Sequence, residues 1–185
     1  AQDRVTHSSP ENAVLMYALM YVLSSLLHAL SQRANRLAEW LLVLAGMGMA
    51  LVIGLQVICR YLFNHSLFWS EELGRILLVQ LTFLGASVAY KRGVHVALEA
   101  AITPLPLRWQ RTARLLALLT SLVFFAVFTW QSWRFAWFIN RQTLTALGFS
   151  RTYPFLALPL SGALMFLHGL SALCSQLFAD KGERS

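Results

Sequence analysis

A chain of 185 residues that is 57% hydrophobic and only 12% charged carries far less charge than an ordinary globular domain, in which about 25% of residues are charged. With its long uncharged runs, this composition excludes a large soluble core and indicates an integral membrane protein. The net charge of +7 does not indicate nucleic-acid binding, because the basic residues mark the ends of apolar segments instead of clustering on one soluble face.

The amino-terminal part, residues 1–36, is predicted to be a tail followed by an amphipathic helix. Residues 13–30, AVLMYALMYVLSSLLHAL, are almost long enough to span a bilayer, which would place the amino terminus outside. A mildly polar stripe at three- and four-residue spacing instead favours a helix that lies in the membrane interface. The stripe consists of Tyr17, Tyr21, Ser24, Ser25, His28 and Gln32.

Four long apolar runs predict a membrane domain over residues 37–178. The segments are 37–62, 73–90, 115–138 and 153–178, and residues 179–185 form a short tail. Pro159 is expected to bend the last segment, because proline lacks the amide donor that a helix interior needs. The predicted fold is all-α, with four transmembrane helices after the amphipathic helix.

The basic residues at the segment ends predict the orientation. Nine of them lie on the side of the amino end of the first segment and five lie on the other side. The first set is Arg33, Arg36, Lys91, Arg92, Arg108, Arg111, Arg114, Lys181 and Arg184, and the second is Arg60, Arg75, Arg134, Arg141 and Arg151. Because basic residues favour the cytoplasmic side, we expect a multi-pass membrane protein with a cytoplasmic carboxyl terminus.

The densest polar cluster, RYLFNHSLFWSEELGR, connects the first two segments on the outer side. Ser70 is a candidate N-cap for the second helix, and acidic residues are favourable in a first helical turn. Glu71 and Arg75 have the i, i+4 spacing of a helical ion pair. Arg60 is predicted to reach Glu72 across the hairpin. Two interpretations of this cluster remain open: a self-contained helical hairpin and a recognition site.

A second pattern is a stripe of small residues on the first helix. Gly46, Ala50 and Gly54 are four residues apart and share one helix face. Such spacing lets helix backbones approach closely. The stripe predicts either packing within the bundle or docking of another membrane protein.

No arrangement of residues predicts catalysis. Hydrolysis needs a nucleophile beside a base that a third group holds, whereas the histidines are scattered and the mid-membrane serines have no acidic partner in sequence. There is no Walker-type phosphate loop and no CxxC motif or His/Cys cluster. We therefore expect no enzymatic activity, no cofactor and no metal site.

Transport by this chain alone is not predicted either. Sites in secondary transporters usually involve repeats and broken helices near the membrane midplane. The four segments show no internal duplication, and the glutamates fall at or beyond segment ends. The membrane part is expected to be passive.

An alternative of another class is a haem- or quinone-anchoring subunit of a respiratory complex. Such subunits can hold haem between histidines on facing helices. His168 and His95 are the candidate pair. They lie at different depths, however, and a lone membrane histidine is more often a hydrogen-bonding packing residue.

Three blocks together resemble the small membrane subunit of tripartite ATP-independent periplasmic (TRAP) transporters. They are RYLFNHSLFWSEELGR, FLGASVAYKRGVHVAL and YPFLALPLSGALMFLHGL, and the resemblance covers about residues 37–175. The matching positions are Arg60, Tyr61, Phe63, Asn64, Trp69, Glu71, Glu72, Gly85, Arg92, Gly93, His95, Pro159 and Gly162.

The resemblance implies a non-catalytic scaffold for a separate, large elevator-type membrane subunit, and it implies that the complex lies in the bacterial inner membrane. The complex would take up an organic acid, either a dicarboxylate or a sugar acid. Uptake would be driven by sodium and would depend on a periplasmic substrate-binding protein. The chain would also contact membrane lipids. Expected interface or structural-motif residues are Arg60, Asn64, Trp69, Glu71, Glu72, Arg75, Arg92, His95, Gly46, Ala50 and Gly54. By analogy, Arg141 and Arg151 are candidates for docking the binding protein.

Overall fold

The protein is almost entirely helical. The computed structural model describes residues 10–65, 67–104 and 106–182, and within them the side chains of 22, 24–65, 67–93, 103–104, 106 and 109–176. The α-helices are α1 (Pro10–Leu62), α2 (Phe68–Ile102), α3 (Leu107–Phe138), α4 (Thr152–Phe155) and α5 (Ala157–Gly182), with a 3-10 turn at Ile139–Arg141.

Four helices in the described residues are long and apolar enough to cross a bilayer. The candidate spans are Ser24–Leu62, Phe68–Gly93, Trp109–Arg141 and Thr152–Gln176. The prediction of an all-α membrane protein with four transmembrane helices is therefore confirmed.

The predicted amphipathic helix and the first membrane segment form one element. α1 continues without a break for 53 residues, about 80 Å at 1.5 Å per residue. The junction, SQRANRLAEW, contains no glycine or proline that would end a helix. Hydropathy separates an apolar part from a polar part of the same helix, but it does not report where the helix stops.

The last membrane segment is interrupted near its start. α4 ends at Phe155, and α5 begins at Ala157. Pro159 explains the break, because its ring clashes with the carbonyl four residues earlier and it has no N–H to donate there. One residue before the end of α4, the carbonyl of Pro154 accepts a hydrogen bond from Gln80 Nε2 on α2 at 2.9 Å.

The long helices form two hairpins, α1 with α2 and α3 with α5, and α5 contacts all three other long helices. Two glycines on α5 allow this close packing. A Cβ at Gly162 would lie 2.6 Å from Thr129 Oγ1, and one at Gly169 would lie 3.3 Å from Leu122 Cδ2. Small residues of this kind let membrane helices approach each other closely.

Candidate functional site

The connection between α1 and α2 is a tight turn that carries part of the predicted motif. Asn64 has a φ of 50°, the left-handed conformation that asparagine tolerates better than most residues. This turn lets the N–H groups of Phe63 and His65 both bond the carbonyl of Cys59, each at 3.2 Å. Asn64 therefore has a structural reason to be part of the motif, because it ends α1.

The prediction that Ser70 caps α2 is wrong. α2 begins at Phe68, two residues earlier, so Ser70 lies in the first turn. Its hydroxyl donates to the carbonyl of Leu67 at 2.6 Å, and the side chain is buried, at 1% exposure. Trp69 beside it is half-buried.

The ion pair predicted on α2 is present but weak. Arg75 Nη2 and Glu71 Oε2 are 3.9 Å apart, and the two side chains are 82% and 64% exposed. Exposed pairs of this kind contribute little, because solvent screens them and ordering two long side chains costs entropy.

Arg75→Ala is therefore expected to lower the free energy of unfolding by no more than about 0.5 kcal/mol. Thermal unfolding of the purified chain measures this loss, and Glu71→Ala is the matched variant because it removes the same pair. A loss several times larger in Arg75→Ala alone would assign Arg75 a further role.

Glu72 does not contact Arg60 among the described residues, contrary to the prediction. Its carboxylate accepts three consecutive backbone N–H bonds from the α3–α4 loop, residues 139–151. Oε1 accepts from Thr145 at 3.1 Å, and Oε2 accepts from Ala146 at 2.7 Å and Leu147 at 3.2 Å. Successive amides that converge on one anion form a strong binding nest. Glu72 thereby ties α2 to a loop that is more than 70 residues away in sequence.

The α3–α4 loop is also closed within itself. The N–H of Leu144 donates to the carbonyl of Phe149 at 2.8 Å, and the N–H of Gly148 donates to that of Leu144 at 2.9 Å. Gly148 has a φ of +72°, which only glycine adopts without strain. An isolated antiparallel bridge joins Thr143 to Ser150.

Both arginines proposed for docking belong to this loop. Arg141 ends the 3-10 turn and is exposed. Arg151 is half-buried, and its Nη1 donates to Gln142 Oε1 at 3.2 Å. Arg151 and Arg75 line a cavity of about 240 Å³ between α2 and the loop, above an apolar floor that includes Val79.

On the opposite end of the bundle, sequence reasoning identified Arg92 but missed its partner. Arg92 Nη2 lies 2.7 Å from Glu39 Oε1, and Asn35 Nδ2 donates to the same oxygen at 2.8 Å. The pair links α1 to α2. A carboxylate near an apolar run was the available signal, but its partner is 53 residues away. His95 lies on α2 outside the residues whose side chains are described.

The small-residue stripe on α1 divides into two parts. A Cβ at Gly46 would lie 3.7 Å from Leu81 Cδ2 on α2, whereas nothing lies within 4 Å of one at Gly54. Ala50 is exposed. The first part packs inside the bundle, and the second part is open.

The polar side of the amino-terminal half of α1 contacts protein. His28 Nδ1 and Ser171 Oγ are 3.3 Å apart, and Ser31 Oγ and His168 Nδ1 are 2.8 Å apart. Of the two α1 residues, only His28 belongs to the predicted polar stripe, and its contact places that residue of the stripe against α5. His168 thus behaves as a hydrogen-bonded packing residue. In the described part of the chain, no group of three or more His, Cys, Asp or Glu side chains is arranged to hold a metal ion.

Comparison with known proteins identifies the family. The family model for the DctQ component of tripartite ATP-independent periplasmic transporters matches residues 49–179. The chain is 31% identical over 143 residues to the sialic acid TRAP transporter permease protein SiaT of Haemophilus influenzae, which covers 75% of this chain and 22% of that protein. It is 32% identical over 104 residues to the ectoine TRAP transporter small permease protein TeaB of Halomonas elongata, covering 56% and 54%. It is 29% identical over 143 residues to the sialic acid TRAP transporter small permease protein SiaQ of Vibrio cholerae, covering 75% and 80%.

These matches span about half of TeaB and less than a quarter of SiaT. The relatives are transporter permease proteins rather than enzymes. The family match, together with the four apolar helices of this chain, indicates a multi-pass protein of the inner membrane. The chain belongs to the DctQ component family of tripartite ATP-independent periplasmic transporters.

Proposed function

We propose that this chain is a non-catalytic scaffold that binds a separate, large membrane subunit of a TRAP transporter. The observation that carries the proposal is the match to SiaT, in which the region similar to this chain makes up only 22% of a longer permease protein. In SiaT this region is part of a longer permease protein, whereas TeaB and SiaQ are small permease proteins. When the small and large parts are separate chains, we expect them to bind each other.

The carboxyl-terminal half of α1 offers the surface for that subunit. None of the 18 residues in the most apolar stretch of its span is buried. Leu51, Tyr61 and Leu62 are 72%, 79% and 75% exposed. Ala50 and Gly54 lie on this half with open space at Gly54, so a partner helix has room to approach closely. We assign this face to the large subunit. The exposed aromatic side chains of α3, which include Trp130, Trp133 and Trp137, are assigned to lipid.

The α3–α4 loop is the proposed docking site for the periplasmic substrate-binding protein. With the carboxyl terminus in the cytoplasm, as the distribution of basic residues favours, this loop faces the periplasm. Its fixed shape and the charges of Arg141 and Arg151 suit an acidic patch on a partner, because complementary charge speeds association.

The proposed transport reaction is sodium-driven uptake of an organic acid, either a dicarboxylate or a sugar acid. The sialic acid named for two relatives supports the sugar-acid class. Within this chain the described residues contribute packing surfaces, so we assign the substrate and sodium sites to the large subunit.

Co-purification from the host membrane tests the scaffold proposal. The tagged full chain, solubilised gently, is expected to bring down one large multi-span permease in a stoichiometric amount, identified by mass spectrometry. Recovery with a flavin or iron–sulfur protein instead, together with a haem absorption band, would favour the respiratory alternative.

A paired variant tests the assigned face separately. Gly54→Leu is expected to lower recovery of the large subunit about tenfold, because a side chain at a close helix contact costs roughly 1–3 kcal/mol. Ala126→Leu on the exposed side of α3 is the matched control and is expected to leave recovery unchanged. Normal recovery with Gly54→Leu would move the interface away from α1 without affecting the scaffold proposal.

A further inference from the structure

A groove runs along the amino-terminal end of α2, where that helix faces α4 and the α3–α4 loop. It consists of two neighbouring cavities, of about 270 Å³ and about 240 Å³, which share Glu72 and Arg75 as lining residues. Glu71 lines the first cavity, whereas Val79 and Arg151 line the second. We call the two cavities together the α2 groove.

The α2 groove lies at the depth of a bilayer where lipid head groups meet acyl chains. Two of its walls belong to the ends of candidate membrane spans, Phe68–Gly93 and Thr152–Gln176. Trp69 and Tyr153 stand at these two ends, and both residue types are enriched where a membrane meets water. The groove therefore runs from the level of the head groups toward the level of the acyl chains.

Three kinds of side chain follow one another along the wall that α2 provides. Glu71, Arg75 and Val79 are four residues apart and share one helix face. At 1.5 Å per residue, successive members are separated by about 6 Å along the helix axis. From the end of the helix inward, the groove thus presents a negative charge, a positive charge and an apolar surface.

The charges of the groove are only weakly neutralised within the chain. Arg75 and Glu71 are 3.9 Å apart and both are exposed. Arg151 is half-buried and donates to the neutral amide of Gln142, and it forms no ion pair in the described part of the chain. The carboxylate of Glu72, in contrast, is bonded by three N–H groups of the loop. The groove therefore offers two guanidinium groups to an anion and one carboxylate to a cation.

We propose that the α2 groove binds one phospholipid whose head group carries a primary ammonium. The phosphate lies between Arg75 and Arg151, because a guanidinium group donates paired N–H bonds to phosphate oxygens. The ammonium reaches Glu71, and one acyl chain lies on Val79 and Phe155, which are half-exposed and line the second cavity. Ammonium, phosphate and acyl chain follow each other in the lipid in the same order as their partners follow each other in the groove.

The same geometry discriminates against other head groups. A quaternary ammonium has no N–H to donate to Glu71, and an anionic glycerol head group has no cation to place there. Binding of this lipid needs no partner protein, so it is independent of the scaffold and docking proposals. Arg141 lines neither cavity and keeps its proposed role in docking.

Native mass spectrometry of the purified full chain in detergent tests the proposal. Phosphatidylethanolamine, phosphatidylcholine and phosphatidylglycerol with identical acyl chains are added in turn. The wild type is expected to retain one phosphatidylethanolamine at a roughly tenfold lower lipid concentration than either other lipid, because only its ammonium makes a charge-assisted hydrogen bond with Glu71. Equal retention of the three lipids would overturn the proposal, and tighter retention of phosphatidylglycerol would overturn it in favour of an anionic lipid.

Two variants test the two ends of the head group. Arg151→Gln is expected to weaken retention of phosphatidylethanolamine about tenfold, since it removes one charged donor to the phosphate. Arg141→Gln is the matched control, because Arg141 belongs to the same loop but lies outside the groove, and it is expected to leave retention unchanged. Glu71→Gln is expected to abolish the preference for phosphatidylethanolamine over phosphatidylcholine while the phosphate still binds.

Unchanged retention in Arg151→Gln, or an unchanged preference in Glu71→Gln, would overturn the proposal. The comparison of the three lipids on the wild type decides the question even where a variant does not fold.

Discussion

Gly162→Ala is expected to force α3 away from α5 and to lower the free energy of unfolding by at least about 2–3 kcal/mol. A Cβ at this position would lie 2.6 Å from Thr129 Oγ1 and 2.8 Å from Phe128 Cδ1. Neither atom moves easily, because the Thr129 hydroxyl is bonded to the carbonyl of Phe125 at 2.7 Å and Phe128 is held in ring contact with Phe83. Thermal unfolding of the chain in nanodiscs measures the loss.

Two controls separate this effect from a general effect of alanine. Gly74→Ala places the same methyl group on α2 with nothing within 4 Å, and it is expected to be neutral or slightly stabilising, since alanine favours helix. Thr129→Ala combined with Gly162→Ala removes the nearest clashing atom and is expected to restore part of the lost stability. Equal unfolding temperatures for Gly162→Ala and Gly74→Ala would contradict the close packing of α3 and α5.

The membrane spans were predictable because they depend on composition alone. Hydropathy detects the residues that must avoid water, and four such runs were sufficient for the all-α class. The ends of the helices were not predictable in this way. α1 extends through SQRANR because helical propensity and the contact of Ser31 with His168 on α5 maintain the helix beyond its most apolar part.

The site shows a similar division between local and distant contacts. The pair of Glu71 with Arg75 follows from a spacing of four residues and is present. The partners of Glu72 and Arg92 lie 73–75 and 53 residues away, and no local pattern determines them. Ser70 failed as a predicted cap for a related reason. The helix start depends on how Leu67 and Phe68 enter the turn, which the composition of the cluster does not report.

Glu72→Ala is expected to release the α3–α4 loop from α2. The carboxylate holds three backbone N–H groups, and hydrogen bonds to a charged group are worth about 1.5–3 kcal/mol each. A net loss of about 3 kcal/mol would raise the population of the open loop roughly 100-fold, since each 1.4 kcal/mol is a factor of ten. Trypsin measures this opening directly, because cleavage after Arg141 and Arg151 requires an unfolded loop, and we expect cleavage at both sites to accelerate by one to two orders of magnitude.

Glu71→Gln is the matched control, since Glu71 is adjacent on the same helix and contacts Arg75 instead of the loop. Its cleavage rate is expected to equal that of the wild type, whereas Glu72→Gln, which keeps an acceptor oxygen but loses the charge, should fall between the wild type and Glu72→Ala.

If the released loop also weakens capture of the binding protein while recovery of the large subunit stays normal, the loop and the exposed face of α1 serve two different partners. Unchanged cleavage in Glu72→Ala would mean that the internal bonds of the loop, including Gly148 to Leu144, fix its shape without α2, and Glu72 would then lose its place in the docking proposal.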